Sequence, residues 1–323
     1  MRKIALLIYF LLASGLCFGQ AALQRAQKLI EQKNYAQSEI ILAEYLKTDP
    51  NNLEAQELYG DALGYQEKWD ESIVVYEKLA LKRPQNAEYH YKYGGAMGMK
   101  ALSVNKFKAL GMLSDIKTAF ITAAELDPKH IDVRWALVEF YMQLPGIVGG
   151  SERKAQQYAN ELLALSPVDG WLSKGYIAEY KKDFQEAEKA YKKAIEVGGS
   201  ELTYNKLIDL YEAHGEGKKA LETSQACLLA HNNNRLHYQI GKIAATYNIN
   251  PELGINCLVK YIENYTVKDG VPKDWAYYRL AQIYRNLGDK DQAKQWIDKA
   301  LASRADFKEA RKEALVIDQM ACC

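Results

Sequence analysis

The residues best suited to chemistry are five histidines, His90, His130, His214, His231 and His237, and five cysteines, Cys17, Cys227, Cys257, Cys322 and Cys323. A metal site would need H-x3-H or E-x-x-H spacing, or paired thiolates, and the histidines are scattered with none of these. Cys227 and Cys257 fall in apolar helical stretches, where buried free thiols are expected, and the adjacent terminal pair cannot staple a fold. No G-x-S-x-G elbow, phosphate-binding loop or Cys-His nucleophile signature is present. Carboxylates are abundant but sit in mixed-charge runs such as EKLALKR and KKDFQEAEKAYKK, which read as solvated helix faces. The expectation is a protein without catalytic residues, cofactor or metal.

The framework around these residues is bounded by size and charge. At 323 residues the chain exceeds one compact core, leaving two domains or an elongated array. Lys and Arg total 42 against 41 Asp and Glu, which removes the uniform basic field of non-specific nucleic-acid binding. With 23 Tyr, 7 Pro and 21 Gly, the composition suits helices with many half-buried aromatics and short connections.

The first twenty residues stand apart. Arg2 and Lys3 precede an apolar run from Ile4 to Leu16, followed by the small residues Cys17 and Gly19, the three zones of a secretory signal peptide. The run is shorter than a bilayer span requires, and Leu16 stands where a lipoprotein has a small residue before its modified Cys. Residues 1–19 are therefore expected to be a signal peptide cleaved after Gly19. The mature chain, with no membrane span of its own, would be exported, to the periplasm or beyond.

Four prolines supply a ruler. Pro50, Pro84, Pro128 and Pro167 each follow an apparent helix ending, at spacings of 34, 44 and 39. Tyr59, Gly60 and Leu63 on one helix are followed by Ser72, Tyr76 and Leu79 on the next, and Trp171, Gly175 and Ala178 by Ala187, Tyr191 and Ala194. Tyr204, Leu207 and Tyr211 with Ala220, and Tyr277, Leu280, Ala281 and Tyr284 with Ala293, Ile297 and Ala300, repeat the scheme. Along nearly its whole mature length this pattern resembles the tetratricopeptide repeat, W-x2-L-G-x2-Y, then A-x3-F-x2-A, then P, with a period of about 34. The resemblance implies an all-α, right-handed α-solenoid over residues 20–323, of about eight helix pairs closed by a capping helix at 307–319.

The longer spacings locate insertions of ten and five residues. The first lies between YKYGGAM and IKTAFITAA, the second between WALVEFY and ERKAQQYANELL, at the turn inside a helix pair in both cases. In a stack these turns are neighbours. The first insertion carries Leu102, Phe107, Leu110 and Leu113 at helical spacing, and the second, LPGIVGG, offers Leu144, Ile147 and Val148 as a cover. If that cover forms, Phe107→Ala removes a buried contact at a cost of about 3 kcal/mol. Ser151 is placed to cap the following helix, and the Gly-rich turn without a Gly-Lys-Ser/Thr continuation is read as cover rather than a phosphate loop. Together with MKALSVNKFKALGMLSDIK, the loop is similar to a mark of exported bacterial tetratricopeptide proteins.

The resemblance also implies that a peptide or protein segment binds a concave groove lined by the first helix of each pair. The groove positions hold Tyr91, Trp135, Leu172, Asn205, Tyr238 and Tyr278 in successive repeats, with Tyr176 beside them. These aromatics serve equally well as inter-helix packing or as ligand contacts, and an aromatic groove also suits a glycan or envelope polymer. On the same face, early repeats place Glu54, Glu57, Asp61, Glu88, Asp132, Glu139 and Asp169, and later ones Lys206, Arg235, Lys242, Arg279 and Arg285. The groove is expected to run from acidic to basic. No repeat has both the Lys and the Asn of the family's carboxylate clamp.

Overall fold

The computed structural model describes residues 20–320, so the expected signal peptide, 1–19, and Cys322 and Cys323 lie outside the described residues. Within them every regular element is helical, and the chain divides at Leu165 and Ser166 into two compact units. The first holds α1 (20–31), α2 (Tyr35–Thr48), α3 (Leu53–Gly64), α4 (Trp69–Lys82), α5 (Ala87–Ser103), α6 (Lys106–Leu126), α7 (Ile131–Gln143) and α8 (Glu152–Leu165). The second holds α9 (Pro167–Tyr180), α10 (Phe184–Gly198), α11 (Glu201–Ala213), α12 (Gly217–His231), α13 (Asn234–Tyr247), α14 (Pro251–Glu263), α15 (Lys273–Asn286), α16 (Lys290–Ser303) and α17 (Lys308–Asp318). Each odd-numbered helix packs on the even-numbered helix after it, giving four pairs in each unit among the described residues, and α17 covers the α15–α16 pair.

Local chemistry sets the boundaries. Asn52, Asn86 and Ser166 accept a hydrogen bond from a backbone N–H of the first turn of α3, α5 and α9, so each caps its helix. Pro50, Pro84 and Pro128 lie in the linkers ahead of such caps, where the missing N–H interrupts helix. Pro167 follows the end of α8 at Leu165, as the sequence suggests, and also opens α9 directly behind the Ser166 cap, a position where the missing N–H costs nothing. Inside seven of the eight pairs the turn uses a left-handed residue, Lys33, Glu67, Gly149, Lys182, Gly215 or Gly288 in six of them and both Asn248 and Asn250 in α13–α14. The pairs with inserted residues are α5–α6, whose turn uses none, and α7–α8.

Close approach within a pair follows the same ruler. A Cβ on Gly60 would lie 2.8 Å from the Tyr76 ring, and a Cβ on Gly175 would lie 2.2 Å from the Tyr191 ring. Both partners are sixteen residues on, one helix later. Gly94 faces Phe120 in the same way at 2.8 Å, but ten residues further along, which fixes the first insertion between α5 and α6. Ser38 and Ser72 repeat another contact, each donating its hydroxyl at 3.0 Å to the carbonyl twelve residues earlier, of Ala26 and Gly60. Cys227 and Cys257 are buried and free, and burial pushes the Cys227 thiol up to about 11.

The LPGIVGG segment forms a single 3-10 turn, Gly146–Val148, and Gly150 N–H closes it on the Pro145 carbonyl at 3.1 Å. Ser151 donates its N–H to the Tyr141 carbonyl at 2.9 Å, tying the turn back to α7, and its hydroxyl accepts from Lys154 N–H at 3.4 Å. Ile147 and Val148 do face α6, across a cavity of about 540 Å³ from Leu110, Leu113 and Phe140. The expected burial of Phe107 is corrected: Phe107 is 88% exposed and Ile147 94% exposed. The turn meets α6 at Leu110, one helical turn short of Phe107. Phe107→Ala is therefore expected to change stability by no more than about 0.5 kcal/mol in denaturant unfolding, the range of surface substitutions.

Candidate binding groove

In the first unit, α3, α5 and α7 present neighbouring faces. Glu57 and Asp61, one turn apart on α3, both accept from Lys92 Nζ of α5, at 2.8 and 2.9 Å. The Tyr76 hydroxyl of α4 donates to Asp61 and, at 3.2 Å, to the Glu57 carbonyl. Burial disfavours the charged form of Lys92, but Asp61 and Glu57 outweigh it and hold its pKa above the ordinary lysine value. These acidic residues are thus matched by a cation that the sequence pattern leaves out.

Tyr91, on the next turn-facing position of α5, packs edge-on against His130 with ring centroids 4.9 Å apart and tilts towards Phe120 at 6.2 Å. Burial, reinforced by the charges of Asp132 and Glu88, pushes its hydroxyl up to about 12. One side of Tyr91 borders a recess of about 280 Å³ that also contains Asp61, Tyr65, Trp69 and Lys92. The other side borders a recess of about 350 Å³ that contains Met99, Leu102, Phe140 and Glu139. Gly95 lines both, and a Cβ there would meet no atom within 4 Å. The geometry offers two adjoining apolar recesses that share Tyr91 and Gly95, with the Asp61–Lys92 ion pair in the first, and they can hold side chains of a bound segment. Among the described residues no group of three or more His, Cys, Asp or Glu is placed to hold a metal ion.

The remaining sequence-predicted residues are placed differently. Trp135 is half-buried on α7, one turn before the exposed Glu139. In the second unit, Tyr176 is half-buried on α9 with its ring 6.3 Å from Tyr180. Tyr238 is only 7% exposed and packs against Tyr261 at 5.4 Å, so it belongs to the core of α13–α15 and offers little surface to a ligand. Lys242 pairs with Glu212 at 3.0 Å. Arg279 lies over the Tyr278 ring and donates to Gln282 at 2.8 Å, and Gln282 in turn donates to the Tyr278 hydroxyl at 2.9 Å. Arg285 is bonded to the buried Glu313 of α17, where it braces the capping helix. The structure thus brings Glu57, Asp61, Tyr91 and Glu139 to one face of the first unit, while Lys242, Arg279 and Arg285 each engage a neighbour within the second.

Lys92, Gly95 and Met99 complete the first-unit face and were not selected by position. A signal for them exists in YKYGGAMGM: Gly94 is needed for the contact with Phe120, but Gly95 and Gly98 meet no neighbour and so keep that face of α5 open.

The family model described as the tetratricopeptide repeat matches residues 168–197 and 276–307, which are α9–α10 and α15–α16 with the start of the cap. No curated protein matches the chain. Among solved structures, a tetratricopeptide repeat protein from Parabacteroides merdae is 13% identical, covering 93% of this chain and 99% of its own, with a TM-score of 0.48. YrrB, described as a TPR protein with an unusual peptide-binding site, is 18% identical over 60% of this chain and 96% of its own, with a TM-score of 0.43. A thermophilic TPR protein from Thermus thermophilus is 12% identical over 75% of this chain and 98% of its own, with a TM-score of 0.41.

Proposed function

Because this chain is a tetratricopeptide-repeat protein, we propose that it is a non-catalytic interaction scaffold whose first unit binds an extended peptide or protein segment along α3, α5 and α7. The observation that carries this reading is the pair of recesses sharing Tyr91 and Gly95. Their spacing along α5 suits two apolar side chains of one segment, and the Asp61–Lys92 pair in the first of them presents both signs of charge to its backbone. Gly95→Leu tests it. The new side chain enters open space, and replacing a mid-helix Gly favours the helix by about 0.5–1 kcal/mol, so the fold is kept while the shared wall is filled. Peptides selected by display against the full chain are expected to bind Gly95→Leu at least tenfold more weakly; equal affinity would place the binding surface elsewhere.

We further propose export, to the periplasm, on the strength of Arg2, Lys3, the apolar run Ile4–Leu16 and the small residues that follow it. Terminal sequencing of the protein recovered from the envelope of an expressing cell is expected to read from Gln20. A start at a lipid-modified Cys17, or retention of Arg2 and Lys3, would contradict this.

A further inference from the structure

The tip of the α5–α6 hairpin is apolar where it has no need to be. Phe107 and Ile147 are almost fully exposed, and Leu102 is 73% exposed. These side chains form one patch. Leu113 borders both the recess that contains Leu102 and the cavity that contains Ile147, and Phe107 stands one and two turns above Leu110 and Leu113 on the same stripe of α6. Phe107 projects from the tip, while Leu102 and Ile147 border those two hollows.

Within the two stretches that carry this patch the charge has one sign, and the acids that flank them are Glu88, Asp115, Glu139 and Glu152. From Tyr89 to Ser114 there are four lysines and no Asp or Glu, and from Phe140 to Ser151 there is no charged residue, in a chain that is 26% charged. Lys92 and Lys100 are engaged with Asp61 and Asp70. Lys106 and Lys108 flank Phe107, are exposed, and form no ion pair among the described residues. Both lie in the first turn of α6, which carries no acidic residue, where the helix dipole disfavours cations. Their placement therefore works against the local stability of the helix, as does the exposed aromatic between them.

We propose that this tip docks on the surface of an anionic lipid bilayer, with Phe107, Leu102 and Ile147 entering the interfacial layer and Lys106 and Lys108 meeting the headgroup phosphates. A protein partner is met by recessed hot spots within a rim of mixed polarity. Phe107, almost fully exposed between two unpaired cations in a helical turn that holds no acid, matches a flat, uniformly negative surface instead. No helix among the described residues is long and apolar enough to cross a membrane, so the contact is peripheral. The patch shares Leu102 with the second recess, but Phe107, Lys106 and Lys108 line neither recess, so the contact stands whether or not those bind a peptide.

The test uses the full chain carrying Phe107→Trp, a change at a surface position, read against the wild type to subtract the five native tryptophans. The probes are vesicles of phosphatidylglycerol with phosphatidylethanolamine, and of phosphatidylcholine alone, each made with bromine-labelled acyl chains that quench an indole inside the bilayer. The indole at position 107 is expected to be quenched on the anionic vesicles and not on the zwitterionic ones. Adding Lys106→Gln and Lys108→Gln is expected to weaken that partition about thirtyfold, from about 1 kcal/mol for each basic residue. Vesicle binding through the apolar run at 4–16 leaves the indole at 107 unquenched, and that result overturns the proposal. So does quenching that ignores the two lysine changes. Concentration-dependent self-association that buries the indole without lipid would reassign the surface to protein contact.

Discussion

Gly175→Ala is expected to lower the stability of the second unit by about 3 kcal/mol, the upper part of the range for overpacking a close-packed core. The added Cβ would lie 2.2, 2.5 and 2.7 Å from three ring atoms of Tyr191, well inside van der Waals contact. The ring has nowhere to go. It is 1% exposed, among Ala187, Ala190 and Ala194 that are fully buried, and its hydroxyl is held by Glu179. Relief therefore requires α9 and α10 to move apart, which opens the packing of the whole pair. Gly95→Ala is the matched control, because its Cβ meets nothing and the change should stabilise by about 0.5–1 kcal/mol. Urea unfolding of both variants separates the two roles of glycine in one repeat family. A loss below about 0.5 kcal/mol at Gly175 would mean that the helices part more easily than their packing indicates.

The pair spacing was legible in the sequence because it is imposed by contacts of this kind. A small residue on one helix must meet a large one a fixed distance later, so Gly60–Tyr76 and Gly175–Tyr191 share one interval and Gly94–Phe120 exposes the ten-residue insertion. Charge was less legible. Lys92 lies 35 and 31 residues from Glu57 and Asp61, Lys242 lies 30 from Glu212, and Arg285 lies 28 from Glu313. Side chains about one repeat apart become neighbours across adjacent helices, so a tally of charges by groove position counts both partners of an ion pair as if each faced a ligand. These part-buried pairs take Lys242 and Arg285 out of an unopposed basic surface. Aromatic positions failed for a related reason: the position that leaves Tyr91 bordering two recesses buries Tyr238 under Tyr261, because α14 and α15 close over α13. Phe107 was misread because an apolar stripe was assumed to need a cover, and the LPGIVGG turn is one helical turn too short to supply it.

The same buried tyrosines make the second unit sensitive to alkali, and raising the pH to 11 is expected to remove about 4 kcal/mol of its stability. Tyr191, Tyr211 and Tyr261 are at most 2% exposed. Their hydroxyls donate to Glu179, to Glu188 at 2.7 Å, and to the Val271 carbonyl. Burial foremost, then the adjoining carboxylates, holds the folded-state pKa of each far above the value near 10 of an unfolded chain. With the folded pKa raised, each hydroxyl contributes its full stabilisation below pH 10, and the contribution is lost as the pH climbs above 10 and the unfolded chain alone releases the proton. One unit above pH 10 the loss is about 1.4 kcal/mol for each tyrosine, or about 4 kcal/mol for the three. Tyr191→Phe gives the discriminating measurement. At pH 7 it should cost about 1 kcal/mol through the lost hydrogen bond, but by pH 11 the difference should shift by about 1.4 kcal/mol in the variant's favour, cancelling that cost and slightly reversing it, because the variant has no proton to lose at that site. Urea unfolding at stepped pH follows both. Parallel curves for the two proteins, or a wild-type stability that stays level between pH 9 and 11, would show that these hydroxyls are not held protonated by the fold.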